Sequence, residues 1–299
     1  AETFFTAANF LSYTNSLYVV RSANTTVSQA NTISAKNSYG NVSSVSNGAI
    51  VLNNNDFAAK DGTFDTSILF AARYPGALGN SLQVSVCDTA TQFASWTYNS
   101  YFTSAPGTSS YVSNLGGAND EIHIVVVDAG GLFTGTKGTV LETFPFVSKG
   151  VDAQNLNDGS SNYYKQVVFN KSQYVYAIDP PSYSTTATGA GAWGKLSANT
   201  SFTQLSAAQT IPLVNGSDGT ITDGDLITAY GLFTNKEQID ISLVLTADAD
   251  VTVQQYVIDN IATTRADCVA FVSPPISAVN QINTVPTTQI QAWLASLAR

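Results

Sequence analysis

DGDLITAYGLFTNKEQIDISLVLTADADVTVQQYVIDNIATTRADCVAFV, residues 223–272, switches repeatedly between two periodicities. In its first part Leu226, Tyr230 and Phe233 recur at helical spacing, and Asp223 or Asp225 is placed to cap that helix. IDISLVL (239–245) is a short apolar run of strand character. Val253, Val257 and Ile261 then return to helical spacing, and CVAFV (268–272) is a second apolar run, stopped by Pro274 and Pro275. Helices alternating with strands apolar on both faces are the pattern of a parallel sheet covered by helices.

Working outward, both ends of the chain share this character. Ile290, Trp293, Leu294 and Leu297 mark a final amphipathic helix. At the start, Phe4, Ala8 and Leu11 make ETFFTAANFLSY helical, and Leu17–Val20 is expected as a short buried strand.

The middle differs. SLQVSV (81–86), EIHIVVV (121–127), GTVLETF (138–144) and QYVYAI (173–178) are strand-like runs. Turn signals separate them: Asp128-Ala129-Gly130-Gly131, Asn157-Asp158-Gly159 and Asp179-Pro180-Pro181. The polar stretches 97–119 and 182–201 are expected as loops. Residues 22–60 have weak periodicity and are expected as a connection with a strand at 48–52. The expected fold is α/β plus β-rich. Residues 1–29 and 211–299 form a discontinuous α/β domain, and 30–210 form an inserted, largely antiparallel β-rich domain.

Composition narrows function. The chain has 299 residues, a formal net charge of −9 and only 12 scattered Lys and Arg, which disfavours nucleic acid and anionic membrane as partners. No apolar run is long enough to span a bilayer. Charged residues are 11%, so Ser, Thr, Asn and Gln supply the surface, a composition that suits extracellular and virion proteins. Two cysteines and one histidine exclude a Cys/His zinc site. Cys87 and Cys268 sit in strand-like contexts and read as buried free thiols, with a disulfide between them the other possibility. The absence of Met at Ala1 and the terminal Arg299 suggest a chain trimmed by proteolysis.

The search for chemistry finds little. His123 alternates with Ile122 and Ile124 and is expected on the more exposed face of its strand; no GxSxG accompanies it. GGLFTGTKGT (130–139) misses the phosphate-loop pattern, because Thr136 separates Gly135 from Lys137 and a strand follows. The Asp-rich run 215–225 lacks calcium-loop spacing. Trp96, Trp193 and the 14 tyrosines are candidates for a sugar-binding platform or for core positions. No catalytic residue, cofactor site or metal site is expected.

Four segments together resemble the tail sheath proteins of contractile-tailed bacteriophages. They are AETFFTAANFLSYTNSLYVVRSA (1–23), with Val20 and Arg21; AARYPGALGNSLQVSV (71–86), with Tyr74-Pro75-Gly76 and Leu78-Gly79-Asn80; NGSDGTITDGDLITAYGLFTNKEQIDISLVL (215–245); and TTRADCVAFVSPP (263–275), with Asp267, Pro274 and Pro275. The resemblance implies a structural virion protein and not an enzyme. Such a protein stacks in hexameric rings of its own copies around a tail tube protein, between baseplate and tail terminator. It assembles in the host cytoplasm and contracts to drive the tube through the host envelope. Terminal arms in this family add strands to a neighbour's sheet. With those arms absent from residues 1–299, a monomer is expected in solution. The rival readings are a secreted or virion carbohydrate-binding or adhesion protein, and a hydrolase using His123.

Overall fold

The computed structural model describes residues 2–24, 39–40, 50–61, 68–178, 192–279 and 286–297. The turn Asp179-Pro180-Pro181 and much of 182–201 lie outside them. The chain divides into two compact units, residues 25–219 and residues 1–24 with 220–299.

The first unit is built on a seven-stranded sheet. Its strands are β1 (Tyr39–Gly40), β2 (Phe70–Ala72), β3 (Leu82–Cys87), β4 (Glu121–Asp128), β5 (Thr139–Ser148), β6 (Val175–Ala177) and β7 (Gln209–Val214). The order is β5-β4-β3-β7-β1-β2-β6, and every neighbouring pair is antiparallel. The strand-like runs of the middle segment thus form an antiparallel sheet. Because β7 pairs with β3, residues 211–214 belong with this sheet and not, as expected, with the chain's end.

Alternation along β3 and β4 assigns two faces. Leu82, Val84, Val86, Ile122, Ile124 and Val126 point into the main core, where Tyr164, Val167 and Val168 of the helix Tyr164–Lys171 join them. Cys87, Val125 and Val127 point the other way and meet Trp96, Phe93, Tyr98 and Phe102. The stretch 97–119, expected as loop, therefore carries short helical turns at Asn99–Tyr101 and Ser110–Asn114, and its first residues roof the second face. β4 is buried on both sides for that reason.

β5 bulges where Ile122 pairs with Val147 but Ile124 with Phe144. Pro145, with no N–H to give the ladder, sits in the bulge, and Phe146 takes a φ of 51°. The expected strand at 48–52 is not found over its described residues 50–52. Ile50 and Val51 are buried there as the approach to a helix, Asn54–Lys60, capped by Asn53.

The second unit holds the helix/strand alternation. Strands β8 (Leu243–Leu245) and β9 (Val269–Phe271) pair in parallel, Val244 opposite Ala270. The crossover between them is helical from Val251 to Arg265, with a π-helical stretch at Val257–Ala262, and ends at Ala266 with φ 60°. Val253, Val257 and Ile261 are fully buried along its inner side. Tyr230 of the preceding helix and Phe233 just after it pack on the cluster of Val244, Val257 and Ile261, and the Tyr230 hydroxyl donates to the carbonyl of Leu245 at 2.9 Å. That helix, Asp223–Gly231, is capped by Thr222 and not by an aspartate. Asp225 instead closes the capping box, its carboxylate accepting from the Thr222 backbone N–H at 2.8 Å.

Two expectations fail in this unit. Leu17–Val20 forms no strand, and Tyr18, Val19 and Val20 are exposed. An apolar run has strand propensity, but no described strand of the unit is offered to it as a partner. Among the described residues the β8–β9 sheet is covered by helices on one face only, because the helices at 223–231 and 251–265 pack on the same side as Val244.

Candidate assembly surface

The histidine and the glycine-rich loop that the sequence singled out are both occupied by the protein's own groups. His123 is fully buried, contrary to its expected exposure, because the residues around Phe102 cover the second sheet face. Its ring stacks on Phe102 at 4.2 Å between centroids and meets Phe146 edge-on at 4.6 Å. Nδ1 accepts the Phe146 backbone N–H at 3.1 Å, so Nε2 carries the proton and donates to the carbonyl of Ser104 at 2.9 Å. Burial holds its pKa below the usual histidine value. Both nitrogens are committed to backbone, so neither can serve as a general base.

The glycine-rich segment after β4 is an anion nest, and its occupant is the protein's own Asp128. Oδ1 accepts from the Ser81 hydroxyl at 2.5 Å and from the N–H groups of Gly131 and Leu132 at 2.9 and 3.1 Å. Oδ2 accepts from the N–H groups of Phe133 and Thr134 at 2.9 and 2.8 Å and from the Thr134 hydroxyl at 2.9 Å. Gly131, at φ 78°, lets the backbone curl around the carboxylate. Burial pushes this carboxyl up, but the Ser81 and Thr134 hydrogen bonds outweigh it and hold the pKa at about 2. The resemblance to a phosphate loop has this geometric basis.

Trp96 and Trp193 are core residues, not a platform. The indole N–H of Trp96 donates to the Ser85 hydroxyl at 2.9 Å, and that of Trp193 to the carbonyl of Thr203 at 2.8 Å. Cys87 is buried and Cys268 half-buried, and both are free thiols. No group of three or more metal-ligating side chains occurs among the described residues.

The Tyr74–Asn80 motif is a brace with two apolar tips. Pro75, Gly76 and Gly79 are buried, and Gly76 adopts a φ of 140°, open to glycine but strained for other residues. Asn80 grips the backbone of Gly216 in both directions, its Nδ2 donating to the carbonyl at 3.0 Å and its Oδ1 accepting the N–H at 2.8 Å. The N–H of Ala77 donates to Asp218 at 3.1 Å. Tyr74 and Leu78 face outward.

In the second unit, Asp267 receives Arg265 through two bonds, from Nε at 2.9 Å and from a terminal nitrogen at 3.0 Å. The buried guanidinium also donates to the carbonyls of Phe233 and Ile239, tying the helix end to the approach to β8. Gln254, also buried, donates to Ala249 and Ser273 and accepts from the Trp293 indole, which fixes the chain just before Pro274-Pro275 and anchors the last helix. Arg265 and Gln254 escape sequence reasoning, although a lone Arg two residues before Asp267 at a helix end is the signal available.

On the uncovered face of the sheet, Leu243, Val269 and Phe271 are 41%, 58% and 54% exposed. Leu243 and Val269 are register partners, so they share that face. Both outer edges of the two-stranded sheet are unpaired among the described residues. The helix Glu2–Leu11 likewise shows its apolar residues to solvent, with Phe4 72% exposed. Val20 and Arg21 follow on the same exposed segment. Bare apolar strand faces with open edges are surfaces made to be covered.

No family model matches the chain. Two solved structures show low similarity. A sheath tail protein from Listeria innocua is 13% identical, with a TM-score of 0.35, over 78% of this chain and 40% of that one. One from Desulfitobacterium hafniense is 12% identical, with a TM-score of 0.29, over 89% and 44%. TM-scores this low do not establish a shared fold. The tail sheath protein of Salmonella phage ViI is 33% identical over 140 residues, which is 47% of this chain but only 18% of that protein. The chain thus spans well under two thirds of the curated relative, and within the matched stretch it is similar to a phage tail sheath protein.

Proposed function

We propose that this chain is the body of a structural subunit of a contractile phage tail sheath. The observation that carries the reading is the apolar row Leu243, Val269 and Phe271 on a sheet of two strands whose outer edges are unpaired among the described residues. A neighbouring copy adding strands and covering that row accounts for both features. The sequence similarity to a tail sheath protein supports the same assignment.

In this reading residues 1–24 and 220–299 form the discontinuous core domain, with 25–219 inserted. Copies stack in hexameric rings around the tail tube between baseplate and terminator, as a virion tail component assembled in the host cytoplasm. Contraction is a switch between two packings of rigid bodies, driven by contacts stored at assembly and not by a bound nucleotide. Tyr74 and Leu78, held outward by a braced turn, and the exposed Val20–Arg21 segment are further contact points between copies. The role is structural and not enzymatic.

Phe271→Asp in the complete sheath gene tests this. An aspartate on the uncovered face leaves the Val244 core intact, so the subunit folds, with an unchanged circular dichroism spectrum. Electron microscopy of infected-cell lysates should then show tails without sheath. Striated sheaths of normal length carrying the substitution would refute the assignment of this face to assembly.

A further inference from the structure

The interior of the β unit holds a buried charge pair. Lys149 directly follows β5 and Asp88 directly follows β3, and both side chains are 0% exposed. The Lys149 Nζ lies 2.8 Å from Oδ2 of Asp88. Two carbonyls, of Asn119 at 3.0 Å and Thr203 at 3.1 Å, hold the nitrogen in place, and the Trp193 ring lies over it at 4.8 Å. Oδ2 also accepts the N–H of Leu205 at 2.7 Å, which pins the carboxyl from its other side. Oδ1 of Asp88 is buried and has no hydrogen-bond partner among the described residues. A fully buried ion pair carries a desolvation cost, and burial lowers the proton affinity of Lys149 against the pull of Asp88. Amine and carboxyl group are thus immobilised at hydrogen-bond distance, 2.8 Å from Nζ to Oδ2, where orientation supplies much of what a condensation needs.

We propose that Lys149 and Asp88 condense into an intramolecular isopeptide bond. One ammonium proton moves to Oδ2 along the existing hydrogen bond, leaving a neutral amine beside a neutral acid. Nζ attacks Cγ of Asp88, and a C–N bond forms. The bond from Cγ to the protonated Oδ2 breaks, a second proton from nitrogen joins that oxygen, and one water leaves. The amide keeps one N–H and has Oδ1 as its carbonyl oxygen. The step consumes no oxidant and no cofactor. β4 lies between β3 and β5, so the bond clasps three strands at one end of the sheet and closes a loop with a sequence separation of 61.

Mass spectrometry of the denatured, purified chain tests the proposal. The wild-type chain should be about 18 Da lighter than its sequence mass, the loss of one water. Trypsin should leave Lys149 uncut and release one peptide joined through it to the peptide carrying Asp88. Lys149→Arg and Asp88→Ala should each run at full sequence mass and unfold roughly 10 °C below wild type, the effect of opening a loop of this length. A wild-type chain at full sequence mass overturns the proposal. So does a dehydration that maps to any other residues.

Discussion

Replacing Asp128 by Asn keeps the shape of the side chain and removes its charge and half of its acceptors. Six donors converge on the two carboxylate oxygens. An amide oxygen can serve one set of three, while the amide nitrogen then faces the other set as a donor facing donors. Holding the carboxyl at about 2 instead of the ordinary 3.8 corresponds to about 2 kcal/mol of stability at neutral pH. The stranded donors add roughly another 2 kcal/mol after local relaxation. Asp128→Asn should therefore destabilise the β unit by about 4 kcal/mol and lower its thermal midpoint by about 10 °C. Urea unfolding, with amide exchange read on peptides spanning 121–148, measures both the loss and its location. The acid dependence is the sharper part. The wild-type contribution is fully present above the unfolded-state pKa and is lost as pH falls through about 2. The gap between wild type and variant should narrow by about half between pH 5 and pH 2. A gap under about 1 kcal/mol at pH 7, or one that stays constant into acid, would show that the nest does not depend on the carboxylate charge.

His123 should make the same unit acid-sensitive in a higher range. Its folded pKa is depressed by burial, so its contribution is present above about 6.5 and declines as pH falls below that towards the folded value. His123→Gln should cost about 1–3 kcal/mol at pH 7 and remove the stability change that wild type shows between pH 6.5 and 5, measured by urea midpoints along a pH series. In the second unit, Ile261→Ala empties a fully buried position against Val244 and Val257 and should cost about 3 kcal/mol. Exchange protection should fall in 241–271 and stay unchanged in 121–148; equal losses in both segments would mean that the two units unfold as one.

Much of the local structure was legible in the sequence because local rules produce it. The 3.6-residue spacing of Val253, Val257 and Ile261 places them on one helix side, and each is fully buried there. The alternation in EIHIVVV divides its residues between two sheet faces as expected. Gly76 and Asn80 stand out in the sequence only through the family resemblance; their roles, a backbone φ of 140° and bonds to the Gly216 backbone in both directions, come from the structure. Periodicity assigns a residue to a face but does not reveal what covers that face. Alternation alone therefore puts His123 on the more exposed face, while Phe102, twenty-one positions earlier, closes over it. The same gap applies to the β8–β9 sheet, whose strands are apolar on both faces but have helices on only one among the described residues.

What the sequence by itself determined is the character of the two kinds of segment: helix alternating with short strand in the last third of the chain, and antiparallel strands in the middle. These follow from side-chain sterics and periodicity within a few neighbouring residues. Only the tertiary structure decided where the charged groups went. Asp128 fills its own nest, Arg265 clamps the approach to β8, and Lys149 meets Asp88 across an intervening strand. Such pairings join residues far apart in sequence, with a separation of 61 for Lys149 and Asp88, and no local rule links them. They exist because a folded interior leaves a buried charge few partners, and the chain that brings one there must supply it.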